Sequence, residues 1–210
     1  MKAAKRGLLA LAVAGVLAAG AAHAQYTNNV IKIGVLSDMS SLYTDLAGAG
    51  SVVAAKMAVE DSGIEKHGVK VEIVSADHQN KPDVGSAIAR RWYDAEGVDV
   101  IVDTPNSGVA LAVSQITKDK NKVFLASGPG SSDLTGKACS PNTVHWTYDT
   151  WMLANGTGTA ITKHGGNSWF FITADYAFGQ ALERDTTAAV EKNGGKVLVD
   201  FRVPLNNQDF

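Results

Sequence analysis

The residues whose types could do chemistry sit in small polar loops. Ser40 and Ser41 form one set, Asn106 and Ser107 a second, and Ser127, Gly128 and Gly130 a third. Each loop follows an apolar run and leads into a helix start or short turn, so hydroxyls, an amide and unpaired backbone N–H groups are offered together. That combination receives an anion without a lysine or arginine, and it activates no nucleophile. Singly, such residues are explained as helix caps; their repetition at strand ends points to a binding site. Tyr43, Trp146, Tyr148, Trp151, Tyr176 and Phe178 fall in loops or just after strands, where aromatic rings supply stacking surface and, for tyrosine, a hydroxyl. Trp92, Trp169, Phe170 and Phe171 read as packing.

Reactive chemistry finds less support. Gly48-Ala49-Gly50 lies far downstream of the first strand, Gly128-Pro129-Gly130 has Asp133 where a third glycine belongs, and no phosphate-loop pattern occurs. Asn106-Ser107-Gly108 lacks the flanking glycines of a nucleophile elbow, and Cys139 has no obvious base beside it. His23, His67, His78, His145 and His164 are isolated, which disfavours metal ligation; Asp77-His78 is the single arguable pair. Asn155-Gly156-Thr157 fits a glycosylation acceptor but falls within a predicted helix.

The elements that must position these loops centre on residues 98–133. VDVIVD, TPNSG, VALAVSQITKDKNK, VFLA and SGPGSSD read as strand, loop, amphipathic helix, strand and loop. Strands this apolar suit a parallel sheet covered on both faces, and right-handed crossover puts both loops at one sheet edge. Upstream, a strand over Val30–Leu36, a loop over 37–50, a helix over Ser51–Ser62, an alternating strand ending near Asp77 and a helix from Pro82 are expected. In that second helix Val84, Ala87, Ile88, Arg91 and Ala95 recur at helical spacing. Downstream, Val144–Trp146 is a short extended piece. A helix capped by Asp149 then runs to about Lys163, followed by a strand over Ser168–Thr173, a helix over Phe178–Lys192 and a strand over Lys196–Val203. Alternation throughout predicts an α/β fold with parallel sheets.

Lys2, Lys5 and Arg6, an uncharged apolar run from Gly7 to Ala22 and Ala22-His23-Ala24 read as a signal peptide over residues 1–24. The formal charge of the 210-residue chain is −2, and the leader removes only basic residues, so the exported part is acidic. An acidic chain disfavours nucleic acid and anionic lipid as partners. Cys139 is the single cysteine, and export to an oxidising compartment leads us to expect a partner cysteine beyond this sequence. The chain stops soon after Pro204 without a closing element, which is expected of an N-terminal fragment exposing apolar surface near Phe170 and Val199.

The opening IKIGVLSDMS with AAKMAVEDSG, then VIVDTPNSGVALAVSQI, FLASGPGSSDLTGKACSPNTVHWTYDT and WFFITADYAFGQALERD, resembles the periplasmic solute-binding proteins of branched-chain amino acid type ABC transporters, in a branch that binds aromatic carboxylates. The resemblance implies a type I periplasmic binding protein with two Rossmann-like lobes. The first spans 28–145, and the second begins at 146 and is cut at 210. The family closes its lobes over a solute and presents it to a membrane permease, as a monomer, with no cofactor, no metal and no catalysis. Its ligand positions fall on the loop around Ser41, Tyr43 and Leu46, on Asn106 and Ser107, on Ser127, Gly128, Pro129 and Gly130, and on Tyr176 to Phe178; we add Tyr148 from the aromatic set. Amino-acid binders of this type carry a hydroxyl residue where this chain has Gly130. A branched-chain or other amino-acid binder, the sensory domain of a receptor and an exported hydrolase are the alternatives. The hydrolase is disfavoured by the lack of an activated nucleophile.

Overall fold

The structure is a computed structural model that describes residues 30–208. The leader read at residues 1–24 lies outside the described residues. Five parallel strands form the first sheet: β1 (Val30–Ser37), β2 (Lys70–Asp77), β3 (Val100–Asp103), β4 (Val123–Ala126) and β5 (Thr143–His145), in the order β2-β1-β3-β4-β5. The helices between them are α1 (Gly48–Ser62), α2 (Pro82–Asp94) and α3 (Ser107–Asp119). After β5 come α4 (Thr150–Leu153), a π-helical segment (Ala154–Gly158) and α5 (Thr159–Lys163), then β6 (Ser168–Ala174), α6 (Ala177–Lys192) and β7 (Lys196–Val203). β6 and β7 pair in parallel as a second sheet. The expected α/β alternation is therefore the observed one.

Strand order fixes where loops gather. The chain steps from β1 outward to β2, then returns to place β3 on the other side of β1. The connections leaving β1 and β3 diverge at that switch point, opening a crevice at the carboxyl ends of the strands. Loops 38–47, 78–81, 104–106 and 127–131 all leave the sheet at this edge.

The core lies between the sheet and helices α2 and α3, where Leu36, Ile101 and Phe124 meet Ile88, Trp92, Val109 and Val113, all buried. The inward stripe of α2 differs from the expected one. It runs through Gly85, Ile88, Ala89, Trp92 and Tyr93, while Ala87, Arg91 and Ala95 are exposed. Trp92 decides the rotation, because its ring fills the space beside Gly34 that any Cβ there would occupy. On the other face α1 buries only Gly48, and a cavity of about 460 Å³ lined by Ile31, Ile33, Val102 and Leu125 lies beneath it. Phe170, Ile172, Leu198, Val199 and Phe201 on the second sheet are each half exposed or more.

The helix expected after Asp149 forms with a wider central turn. Asp149 caps it by accepting from Met152 N–H at 2.7 Å. The glycines at 156 and 158 lie in the π-helical segment, where each hydrogen-bonded ring holds one residue more than in an α-helix. Among the described residues no helix is long and apolar enough to cross a membrane, and no group of three or more His, Cys, Asp or Glu is placed to hold a metal. Cys139 is exposed with a free thiol.

Candidate binding site

Gly130 is the point on which the site closes. A Cβ built there would lie 2.8 Å from Tyr148 Cε2 and 2.8 Å from Phe178 Cε2, so both rings abut a backbone that only glycine leaves bare. Tyr176 and Phe178 stand with ring centroids 6.1 Å apart at the start of α6. Tyr176 Oη lies 2.7 Å from Tyr43 Oη of the loop after β1, joining residues from the two sheets' ends. Burial raises the phenol pKa of both, and the mutual hydrogen bond lowers that of Tyr43 while raising that of Tyr176 further. Both hydroxyls are therefore protonated across the physiological range. One proton is used between them, and the other is available to an acceptor in the crevice.

Ser107 and Asn106 support the same point from below. Asn106 Oδ1 accepts from Gly108 N–H at 2.8 Å and Val109 N–H at 3.2 Å, so its side chain caps α3. Ser107 Oγ accepts from Gly130 N–H at 3.3 Å and Ser131 N–H at 3.2 Å, which ties the loop after β4 to the first turn of α3. The amino ends of α3 and α6 face each other, since a Cβ on Gly108 would come within 3.9 Å of Ala177 Cβ. Tyr176 gives α6 no side-chain cap. Two positive helix ends, hydroxyls and aromatic rings thus converge without a cationic side chain among them, an arrangement suited to a planar anion.

Gly128 allows the loop to approach, for its Cβ would lie 2.8 Å from Pro105 Cα and 2.9 Å from Asp103 Oδ1. Pro129 O accepts from His145 Nε2 at 2.7 Å, which fixes that ring's tautomer. Ser41 stands on the loop beside Tyr43, bonded to Asp38. Two expected residues are elsewhere. Ser127 lines the cavity beneath α1 together with Trp146. Leu46, 72% exposed, lines a separate depression with Met39 and Thr44.

The residues missed from sequence lie beneath the Tyr43 loop. Asp38 and His78 are wholly buried, and Asn80 reaches Asp38 with its amide at 2.8 Å. Gln79 and Asn80 adopt φ of 53° and 55°, left-handed values that non-glycine residues rarely take. His78 Nδ1 accepts from Asn80 N–H at 3.0 Å, while its Nε2 has no partner. Asp77-His78 gave the one visible signal. Burial pushes the imidazole down to about 4 from 6.5, against the upward pull of Asp38 and Asp77. Because the unfolded chain takes up this proton first, stability should fall as pH drops from 6.5 towards 4 and level off below. Urea melts at pH 7 and 4.5 test it: the loss should be smaller in His78→Asn, and an equal loss would sink the assignment.

A second cluster sits behind Gly130. Asp185 Oδ2 on α6 accepts from Ser132 Oγ at 2.6 Å and Thr150 Oγ1 at 2.7 Å. Arg184 bonds Asp133 Oδ1 at 2.8 Å, and Thr150 N–H donates to Gly130 O at 2.8 Å.

The sequence matches the family profile described as periplasmic binding protein over residues 30–210, well over half of the chain. The chain belongs to the periplasmic binding proteins. This periplasmic binding protein is similar to one from Burkholderia mallei, at 49% identity over 88% of this chain and 49% of that one, with a TM-score of 0.84. It is also similar to a branched chain amino acid ABC transporter periplasmic ligand-binding protein from Burkholderia xenovorans LB400, at 37% identity over 86% of this chain and 48% of that one, TM-score 0.71. A third similar structure is an ABC transporter solute binding protein from R. palustris in complex with 4-hydroxybenzoate, at 25% identity over 86% and 49%, TM-score 0.76. The chain spans about half the length of these structures. No curated protein sequence matches it. The family supplies the binding components of ABC transporters, which are not enzymes, and its members are periplasmic.

Proposed function

We propose that this chain captures a small aromatic carboxylate between its first lobe, residues 28–145, and a second lobe that begins at 146, and delivers it to the permease of an ABC importer. Export by the leader at 1–24 places it in the periplasm, where it works as a monomer without cofactor, metal or catalysis. The observation that carries the reading is the convergence of Tyr43, Tyr148, Tyr176 and Phe178 around Gly130, beside the hydroxyl of Ser107 and the amino ends of α3 and α6. Rings take the ligand's faces, and uncharged donors take its carboxylate. The 4-hydroxybenzoate held by a relative of 25% identity is an acid of this class. A second reading, an amino-acid binder, draws on the name of the relative at 37% identity. Against it stands Gly130, which offers no side chain to an α-amino acid.

Calorimetric titration of benzoate, benzamide and leucine tests the proposal. The acid should bind about tenfold more tightly than its amide, the margin of a charge-assisted over a neutral hydrogen bond. Equal affinity for acid and amide removes the anion site, and leucine binding more tightly than benzoate returns the decision to the amino-acid reading.

A further inference from the structure

The loop that presents Tyr43 is held by almost no packing. Ser40, Ser41, Leu42, Asp45 and Leu46 are all exposed, and Tyr43 and Thr44 are only partly buried. Its internal backbone bonds, such as Ala47 N–H to Tyr43 O at 3.0 Å, close local turns but do not attach it to the sheet. Attachment comes from side-chain oxygen. Asp38 Oδ1 accepts from Ser41 N–H at 2.9 Å and Ser41 Oγ at 2.8 Å. Oδ2 accepts from Tyr43 N–H at 2.7 Å and Asn80 Nδ2 at 2.8 Å, and the Ser41 hydroxyl also lies 2.8 Å from it. Asp38 is completely buried, and every one of these donors is uncharged. The strained Gln79-Asn80 turn brings the Asn80 amide to Oδ2, and left-handed strain of this kind persists only where the surroundings impose it.

We propose that Asp38 is the positioning residue that holds Tyr43 across the crevice against Tyr176 and thereby sets the strength of solute capture. The second clause rests on the solute-binding reading above; the first does not. Asp38 touches no solute and acts through Tyr43. An asparagine in its place keeps the shape but presents its NH2 group either to the N–H of Tyr43 and the amide of Asn80 or, flipped, to the N–H of Ser41, so donor faces donor in both orientations. Either way a bond that holds the Tyr43 loop is lost.

Two readouts on the full chain keep this proposal separable from the functional one. Photo-oxidation with a ruthenium complex and persulfate, without solute, couples touching phenols, and mass spectrometry identifies the Tyr43–Tyr176 link. It should form in the parent, vanish in Tyr43→Phe and fall close to that control in Asp38→Asn. Calorimetry with 4-hydroxybenzoate as probe should show about tenfold weaker binding in Asp38→Asn, the scale of one lost charge-assisted bond. In a Tyr43→Phe background the same change should add little, because both act on one hydroxyl, whereas a purely structural role would make the two effects additive. Should Asp38→Asn fail to fold, Asn80→Ala removes one donor only and should lower the cross-link partially. Parent-level cross-linking in every folded Asp38 and Asn80 variant overturns the proposal. A parent that cross-links but binds no aromatic acid overturns the functional reading and leaves the positioning role standing.

Discussion

Gly179→Ala should destabilise the protein by about 3 kcal/mol and remove solute binding, the largest effect we expect of a single methyl group here. Gly179 lies in the first turn of α6, and a Cβ on it would fall inside the van der Waals envelope of the Ala174 carbonyl oxygen and 2.9 Å from the carbonyl carbon. A side chain could rotate away, but this is backbone at the end of β6. The same carbonyl accepts from Tyr176 N–H at 2.9 Å, so displacing it undoes the turn that aims Tyr176 and Phe178. Either α6 lifts from the sheet or the turn opens, and both outcomes move the rings off Gly130. A thermal melt should show a drop of about 10 °C. A shift under about 2 °C would mean that the helix has slack against the strand, and the close approach would lose its significance.

Gly130→Ser should weaken binding of 4-hydroxybenzoate about hundredfold while changing thermal stability little. The glycine backbone is pinned on both sides, by its N–H on Ser107 and its carbonyl on Thr150 N–H. The rings therefore yield, and Tyr148, 43% exposed, can swing outward without disturbing the core. Their loss from the pocket costs stacking area and not fold. Parent-like affinity in calorimetry would show that these rings do not line the solute site. The comparison with Gly179→Ala is informative, since one glycine accommodates a backbone and the other a pair of aromatic side chains.

Much of this was legible in the sequence. Apolar runs and helical stripes located the seven strands and the α-helices between them but not the short 3-10 helices Ile64–His67 and Ser132–Leu134, and the polar loops at strand ends pointed to Ser107 and Gly130. The α2 stripe was misplaced because Trp92 buries against Gly34, a long-range fit that no local period contains. Ser127 was expected near Gly130 but lies beneath α1, since a residue adjacent to a strand end alternates between faces and one position decides its side. Asp38, Asn80 and His78 were missed for a related reason. Their bonds join positions 42 residues apart, as from Asp38 to Asn80, through a left-handed turn built without glycine. An Asp-x-Ser-Ser start to a loop and a His-Gln-Asn turn are ordinary when read separately.

Asp185 has a mechanical meaning. Among the described residues one stretch of chain, between β5 and α4, passes from the first sheet to the elements around the second, and a single covalent strap permits twist as well as bend. Asp185 clasps Ser132 on one side of that strap and Thr150 at its far end. Ser132 precedes the strap and Thr150 opens the helix after it, so one carboxylate on α6 ties the strap's two ends together beside its covalent path, and twisting the strap would have to break the Asp185–Ser132 bond.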